Sequence, residues 1–532
     1  MKILVCDPIS PKGIALLQQR AEFQVVVLPK RLTEAELLPH LADAVALVVR
    51  SETKVTRAVI EAAPQLRVVG RAGVGVDNVD VDAATERGVV VMNTPAGNTV
   101  STAELSFAMI LSLARKLPTA TASMADGKWD RKQFQGSELA GKTLGVLGMG
   151  RIGTEVAKRA LAFGMSVVGY DPFLTEARAA ALGITLATEL DDVYRHADYL
   201  TVHMPVTEQT RGMLHAGAFA KMKPGVRIVN CARGEIIVEK DLIAALDSGK
   251  VAAAGLDVFI VEPLATDHPF RKHPGIVLTP HLGASTAEAQ EKCGIEVAEV
   301  IAGYLLTGEV RNAVNLPYLD AKTYDEVKPY LILGEKIGKL LAQLAPAQVD
   351  RLYVTYGGKA QELPNIDPIT RAVLQGFLSR ASVKDLNNVN VRSIASTLGL
   401  TVEEKRSSEP VTFNEWLHVQ AYHGSEKVIS AGGTFFGSPN NPRIVRLFSL
   451  PVEIPISGIF LLLTNQDRPG MVGHIGTMFG RHQVNIANMS LHRAEVGGQA
   501  FTVFTLDSAP PPALLEELHK DTCISNVKVV IL

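Results

Sequence analysis

One stretch constrains this chain more than any other. Gly148-Met149-Gly150-Arg151-Ile152-Gly153 follows a five-residue apolar run, 143–147, and opens an amphipathic pattern in which Val156, Ala160 and Phe163 share a face and Gly164 closes. A second apolar run, 166–170, ends at Asp171, eighteen residues past the last glycine. A strand, a glycine turn, a helix and a second strand in this order dictate a βαβ unit with a right-handed crossover and a parallel sheet. Gly148 supplies the tight turn, Gly150 lets the backbone approach a pyrophosphate, and Gly153 permits close helix–strand packing. The helix N-terminus offers free N–H groups and the positive end of its dipole. The Asp171 carboxylate suits the ribose hydroxyls and repels a 2′-phosphate, and Pro172-Phe173-Leu174 adds no cation, so the expected cofactor is NAD.

Eight further β-branched runs, with 166–170, extend this texture. Residues 1–6, 44–49, 66–69, 89–92, 166–170, 199–203, 227–230, 252–256 and 276–279 are continuous rather than alternating, as in strands buried on both faces. The class is α/β, two doubly wound lobes. Two long helices punctuate it: one behind Ser101-Thr102-Ala103-Glu104, which reads as a capping box, and one behind Gly283-Ala284-Ser285-Thr286. The texture changes after Val314-Asn315-Leu316-Pro317. From there to about residue 455 Asn387, Asn388 and Asn390, then Glu403-Glu404-Lys405-Arg406, read as loops or solvated faces, and 437–442 as a hairpin turn. Residues 458–532 order themselves as strand, helix, strand, strand, helix, strand, the ferredoxin-like pattern.

Composition excludes several classes. At 532 residues the chain has room for three or four domains. A net charge of −2 leaves no global field for nucleic acid or an anionic membrane, and 5% aromatics leave few stacking platforms. Cys6, Cys231, Cys293 and Cys523 are scattered, which argues against disulfides and metal and for a reducing cytoplasm. No apolar run reaches the length of a membrane span.

Hydride chemistry on an alcohol needs a base for the hydroxyl proton and a cation for the oxidised oxygen or a neighbouring carboxylate. In an open parallel sheet these groups belong at strand C-termini. There stand Arg233, Glu262 and His281, with His203 as a weaker second candidate. With the glycine fingerprint, segments 230–235, 255–263 and 279–286 resemble the D-isomer-specific 2-hydroxyacid dehydrogenases. The resemblance implies His281 as general acid/base, Glu262 as its partner and Arg233 as substrate anchor. It also implies NAD contacts from Gly148, Gly150, Arg151, Ile152, Gly153, Asp171, Cys231, Ala232, Asp257, Gly283 and Ala284.

Segments 49–55, 70–78, 92–95, 126–129 and 141–164 are similar to the family members that act on 3-phosphoglycerate. That likeness implies a phosphate held by Arg50 and Arg71, assisted by Asn98 and by Arg131 and Lys132 reaching from a neighbouring subunit, and a homotetramer. Segments 463–471 and 484–487 look like an ACT domain, implying an L-serine effector site at Asn465, Asp467 and Asn485. The expected division is a discontinuous substrate domain at 1–96 and 284–315, an NAD domain at 97–283, an intervening domain at 316–455 and an ACT domain at 456–532. The expected function is NAD-dependent oxidation of 3-phosphoglycerate toward L-serine. The alternatives are a sister enzyme acting on glycerate, lactate or 2-hydroxyglutarate, and a nicotinamide-sensing regulatory protein.

Overall fold

A computed structural model describes residues 1–316, 321–346, 348–379, 386–409, 415–493 and 495–532. Pro317, where the sequence texture changes, lies outside them. The first sheet holds β1 (Lys2–Val5), β2 (Gln24–Val27), β3 (Ala44–Val49), β4 (Val68–Arg71) and β5 (Val90–Met92) in the order 2-1-3-4-5, all parallel. The second holds β6 (Thr143–Leu147), β7 (Ser166–Tyr170), β8 (Thr185–Leu186), β9 (Tyr199–Val202), β10 (Val226–Asn230), β11 (Val251–Leu256) and β12 (Ile276–Leu278). Its order, 12-11-10-9-6-7-8, reverses direction between β6 and β9, which is where the glycine turn lies. That reversal point is the ligand crevice of doubly wound sheets.

Two helices, Thr99–Arg115 and Ala287–Thr307, join the lobes. Thr286 caps the second through Ala289 N–H. The first has no capping box: it starts three residues earlier, at Thr99, and Ser101 and Thr102 both donate their hydroxyls to the Gly283 carbonyl, at 2.8 and 3.0 Å. A tertiary acceptor has taken the hydroxyl that local geometry assigns to the cap. Phe163 likewise ends its helix rather than sharing the buried face; it is half-exposed with its ring edge-on to Phe107.

The C-terminal region begins with a six-stranded sheet: β13 (Arg351–Gly358), β14 (Thr401–Arg406), β15 (Glu415–His423), β16 (Glu426–Phe435), β17 (Pro442–Leu447) and β18 (Leu450–Pro455). β14 pairs in parallel with β13 and the remaining pairs are antiparallel. The charged run Glu403–Arg406 is thus an edge strand, not a loop, its charges guarding an open edge. Asn387 and Asn390 are structural too: Asn387 donates to Gly88 O of the first lobe at 3.0 Å, while Asn390 is buried. Beside them Val389 is buried as part of the first lobe's core, which also holds Val297 and Ile301.

The last sheet contains β19 (Ile459–Gln466), β20 (Ile486–Arg493), β21 (Gln499–Leu506) and β22 (Ile524–Ile531), in the antiparallel order 20-21-19-22 with two helices on one face. β19 serves two cores. Leu461 and Leu463 face those helices, whereas Phe460 and Leu462 join the core of the intervening sheet and the helix Ala321–Leu344. No helix among the described residues is long and apolar enough to cross a membrane.

Candidate active site

The glycine turn is built for close approach. Gly148 has φ 94°, a left-handed value costly to a side chain. A Cβ on Gly153 would stand 2.0 Å from the Gly148 carbonyl, whereas the space over Gly150 is open. No side chain caps the helix that starts at Arg151, so its first N–H groups await an anion. Asp171 directly follows β7 and accepts Met149 N–H at 2.9 Å and Phe173 N–H at 2.8 Å, fixing its carboxylate at the rim. An uncapped helix end, open space over the second glycine and a fixed rim carboxylate fit a dinucleotide.

At the opposite wall β11 and β12 present the reactive pair. His281 Nδ1 stands 2.7 Å from Glu262 Oε2, and Glu262 Oε1 accepts Phe259 N–H at 3.0 Å. Burial works against the Glu262 carboxylate. The His281 hydrogen bond and charge, the Phe259 N–H and Arg233 outweigh it and hold its pKa below the ordinary value. With Nδ1 engaged, Nε2 is the nitrogen left for substrate. His281 itself sits at φ 55°, a conformation that its surroundings must impose. Asp257 imposes it. Its backbone carbonyl accepts His281 N–H at 2.9 Å, and its fully buried carboxylate accepts Thr279 Oγ1, Leu282 N–H and Gly283 N–H at 2.6, 2.7 and 2.9 Å.

Both Asp257 oxygens accept hydrogen bonds within the protein, so the residue braces the His281 loop. Gly283 has its N–H on Asp257 and its carbonyl on Ser101 and Thr102, so it joins the lobes. Cys231 is buried with its thiol pushed up to about 12, leaving only backbone groups for a ligand there. Ala232 N–H is held by Asn230 Oδ1 at 3.0 Å. His203 is no rival base: burial pushes its pKa down to about 3, so it stays neutral. Its Nδ1 is buried without a partner, and its carbonyl backs onto Gly148.

Three arginines converge between the lobes. Asp7, buried below β1, accepts Arg50 N–H at 2.6 Å and Thr53 Oγ1 at 2.6 Å, fixing the turn that carries Arg50. Arg71 ends β4. Burial first, then the charges of Arg233 and Arg50, lower its pKa to about 10, and Asp77 opposes them. Its Nε is buried with no partner. Arg233 reaches across from β10 to Asp77, Nε to Oδ2 at 3.1 Å. The run Gly73-Val74-Gly75 makes the room: a Cβ would stand 2.2 Å from Arg71 Nη1 at Gly73 and 1.7 Å from Arg233 Nη2 at Gly75. These glycines and Asp77 lie in segment 70–78 but were not among the expected site residues; a Gly-x-Gly just after a strand is their signal. Arg50, Ala284 and Cys293 line one small cleft within the first lobe. Asn98 stands at the start of the joining helix with Oδ1 buried and unpartnered.

Other expected residues are not brought together. Arg131 and Lys132 are exposed on an arm that also bares Trp129. Asn465 is buried, its amide bonded to Thr502 Oγ1 and Gln466 O. Asp467 is held below the usual carboxylate range by Arg493 and Gly497 N–H. Asn485 bonds Asp507 at 2.6 Å beyond the other end of β20. The eight residues of that strand put about 26 Å between it and Asp467. One chain therefore does not assemble this trio.

A parallel nucleotide-binding sheet, with the Arg233–Glu262–His281 group at its strand ends and a second parallel lobe across the cleft, defines a 2-hydroxyacid dehydrogenase core. Family models agree: residues 107–283 match "D-isomer specific 2-hydroxyacid dehydrogenase, NAD binding domain", 326–448 match "D-3-phosphoglycerate dehydrogenase intervening domain" and 459–522 match "ACT domain". The chain is 41% identical over 529 residues to D-3-phosphoglycerate dehydrogenase of Synechocystis sp., covering 99% of this chain and 94% of that one. It is also 41% identical to the Archaeoglobus fulgidus enzyme of that name, over 98% of each chain. It belongs to the D-3-phosphoglycerate dehydrogenase family. Among solved structures it is similar to the TT0316 protein of Thermus thermophilus, with TM-score 0.55 and 36% identity over 59% of this chain and 100% of that one. The NAD+-bound 3-phosphoglycerate dehydrogenase of Entamoeba histolytica matches with TM-score 0.51 and 28% identity, over 60% and 99%.

Proposed function

We propose that the protein oxidises 3-phospho-D-glycerate to 3-phosphohydroxypyruvate with NAD+, the first step toward L-serine. The observation that carries this reading is the convergence of Arg50, Arg71 and Arg233, with Asp77 the counter-charge beside them. A substrate with a carboxylate at one end and a phosphate at the other supplies the missing negative charge. Bound NAD+ supplies the acceptor for the C2 hydride. Arg233 holds the carboxylate and polarises the C2 oxygen, and Arg50 and Arg71 hold the phosphate. His281 Nε2 takes the C2 hydroxyl proton, and the Glu262 carboxylate on Nδ1 stabilises the imidazolium that forms.

The test follows NADH absorbance with phosphohydroxypyruvate, pyruvate and glyoxylate in competition. Preference for the phosphorylated acid is expected, and indifference would sink the assignment. Arg71→Ala should raise KM for phosphohydroxypyruvate far more than for 2-oxoglutarate; equal losses would refute a phosphate-selective role. The same reading makes the protein a cytoplasmic homotetramer, with Arg131 and Lys132 serving a neighbour's cleft. It also has L-serine acting at ACT domains where Asp467 of one chain faces Asn485 of another. The exposed arm and the separation of that trio within a chain support shared sites.

A further inference from the structure

A cavity of about 550 Å³ lies between the intervening sheet and the ACT sheet, away from the catalytic cleft. Its ACT wall is Leu462, Thr464 and Phe501; its other wall is Leu344, at the end of the helix Ala321–Leu344, with Phe448 and Leu450 from the turn joining β17 to β18. The size falls among small-molecule sites.

The junction around it is fixed. Gln343 bonds both backbone groups of Ile531, Nε2 to O at 2.9 Å and N–H to Oε1 at 3.0 Å, as a neighbouring strand would. Phe460, Leu462, Val503 and Val530 share one core with the intervening domain. The cavity is partly open to solvent, so a ligand can enter it without the junction parting.

Two features say what it takes. Phe448 sits at φ 56°, unusual for a bulky residue, and is held there by hydrogen bonds in both directions with Ser430. Its ring stands 5.8 Å from Phe501, edge to face, and bridges the two domains at the cavity. At the rim, Lys528 Nζ bonds only the Leu344 carbonyl, at 3.0 Å, and has no carboxylate within ion-pair distance among the described residues. His492 adds a second nitrogen-bearing side chain.

We propose that this cavity binds a small organic anion with an apolar body, a carboxylate on an aromatic or branched hydrocarbon. The body packs between Leu462, Phe501, Phe448 and Leu450, and the head group meets Lys528. Such walls do not suit L-serine, whose side chain is a single hydroxymethyl group, so this site is separate from the ACT effector reading.

The test titrates full-length protein, with NAD+ saturating the dinucleotide cleft, using 8-anilinonaphthalene-1-sulfonate as anionic probe and Nile red as neutral probe. Lys528→Met should weaken the anionic probe about tenfold, the scale of one charge-assisted contact, and leave Nile red unchanged. Thr464→Phe, filling the void, should abolish both, and both variants should keep the wild-type kcat. Unaltered anionic binding in Lys528→Met, or equal loss of both probes in it, would overturn the proposal. If Thr464→Phe lowers the melting temperature, the Lys528→Met comparison decides alone.

Discussion

The molecule contains two large interdomain junctions that are built in opposite ways. Across the catalytic cleft the lobes keep separate cores and meet through polar contacts: Arg233 on Asp77, Ser101 and Thr102 on Gly283. Between the intervening and ACT sheets a single apolar core runs through. Polar contacts exchange readily with water and substrate, so the first junction can open for ligand entry. Moving the second would expose Phe460 and Leu462, which couples its two sheets as one body.

The sharpest test of the contrast is His281→Ala. It should cut turnover by ~10²–10⁴ while leaving NADH binding, followed by fluorescence, and the melting temperature nearly unchanged. Phe460→Ala should do the reverse: about 3–5 kcal/mol of C-terminal stability lost, with kcat unchanged at 25 °C. Hydrogen exchange should then show both C-terminal sheets opening together; ACT strands opening alone would break the comparison. His203→Gln tests burial within the cleft. In the wild type the folded pKa lies near 3, below the unfolded value near 6.5, so the unfolded chain binds the extra proton between them. Stability is therefore complete above that window and falls as pH drops through it. The variant should lose up to about 1.4 kcal/mol per pH unit of that slope in urea melts at pH 4 to 7. Asp77→Asn should have the smallest effect. Asp77 is well exposed and competes with substrate for Arg233, so KM should fall by less than about fivefold with kcat retained; a raised KM would show that Asp77 orients Arg233.

How much of this was legible depended on whether the determinant was local. The glycine turn, the buried parallel strands and the residues at their ends are written in short runs, and they place Arg233, Glu262 and His281 about one cleft. Contacts to distant backbone were not legible. Ser101 reads as part of a cap because its acceptor, Gly283 O, is 182 residues away. The bracing by Asp257 was not legible because the three groups it holds arrive from a later loop. Glu403–Arg406 reads as solvated because an edge strand carries charge for its own reasons. Asn465, Asp467 and Asn485 lie close in sequence, but the length of β20 drives two of them apart.

The seat of Val389 bears on what counts as the catalytic unit. The two solved structures named above span 59% and 60% of this chain, and on length alone the remainder looks detachable. Yet Val389 is part of the same buried core as Ile301, Val297 and Val90, and nearby Asn387 bonds the Gly88 carbonyl. Cutting the chain after residue 316 would thus uncork the hydrophobic interior of the very lobe that presents Arg71. An excised short form of this protein would need a new plug there before it could behave like its naturally compact cousins.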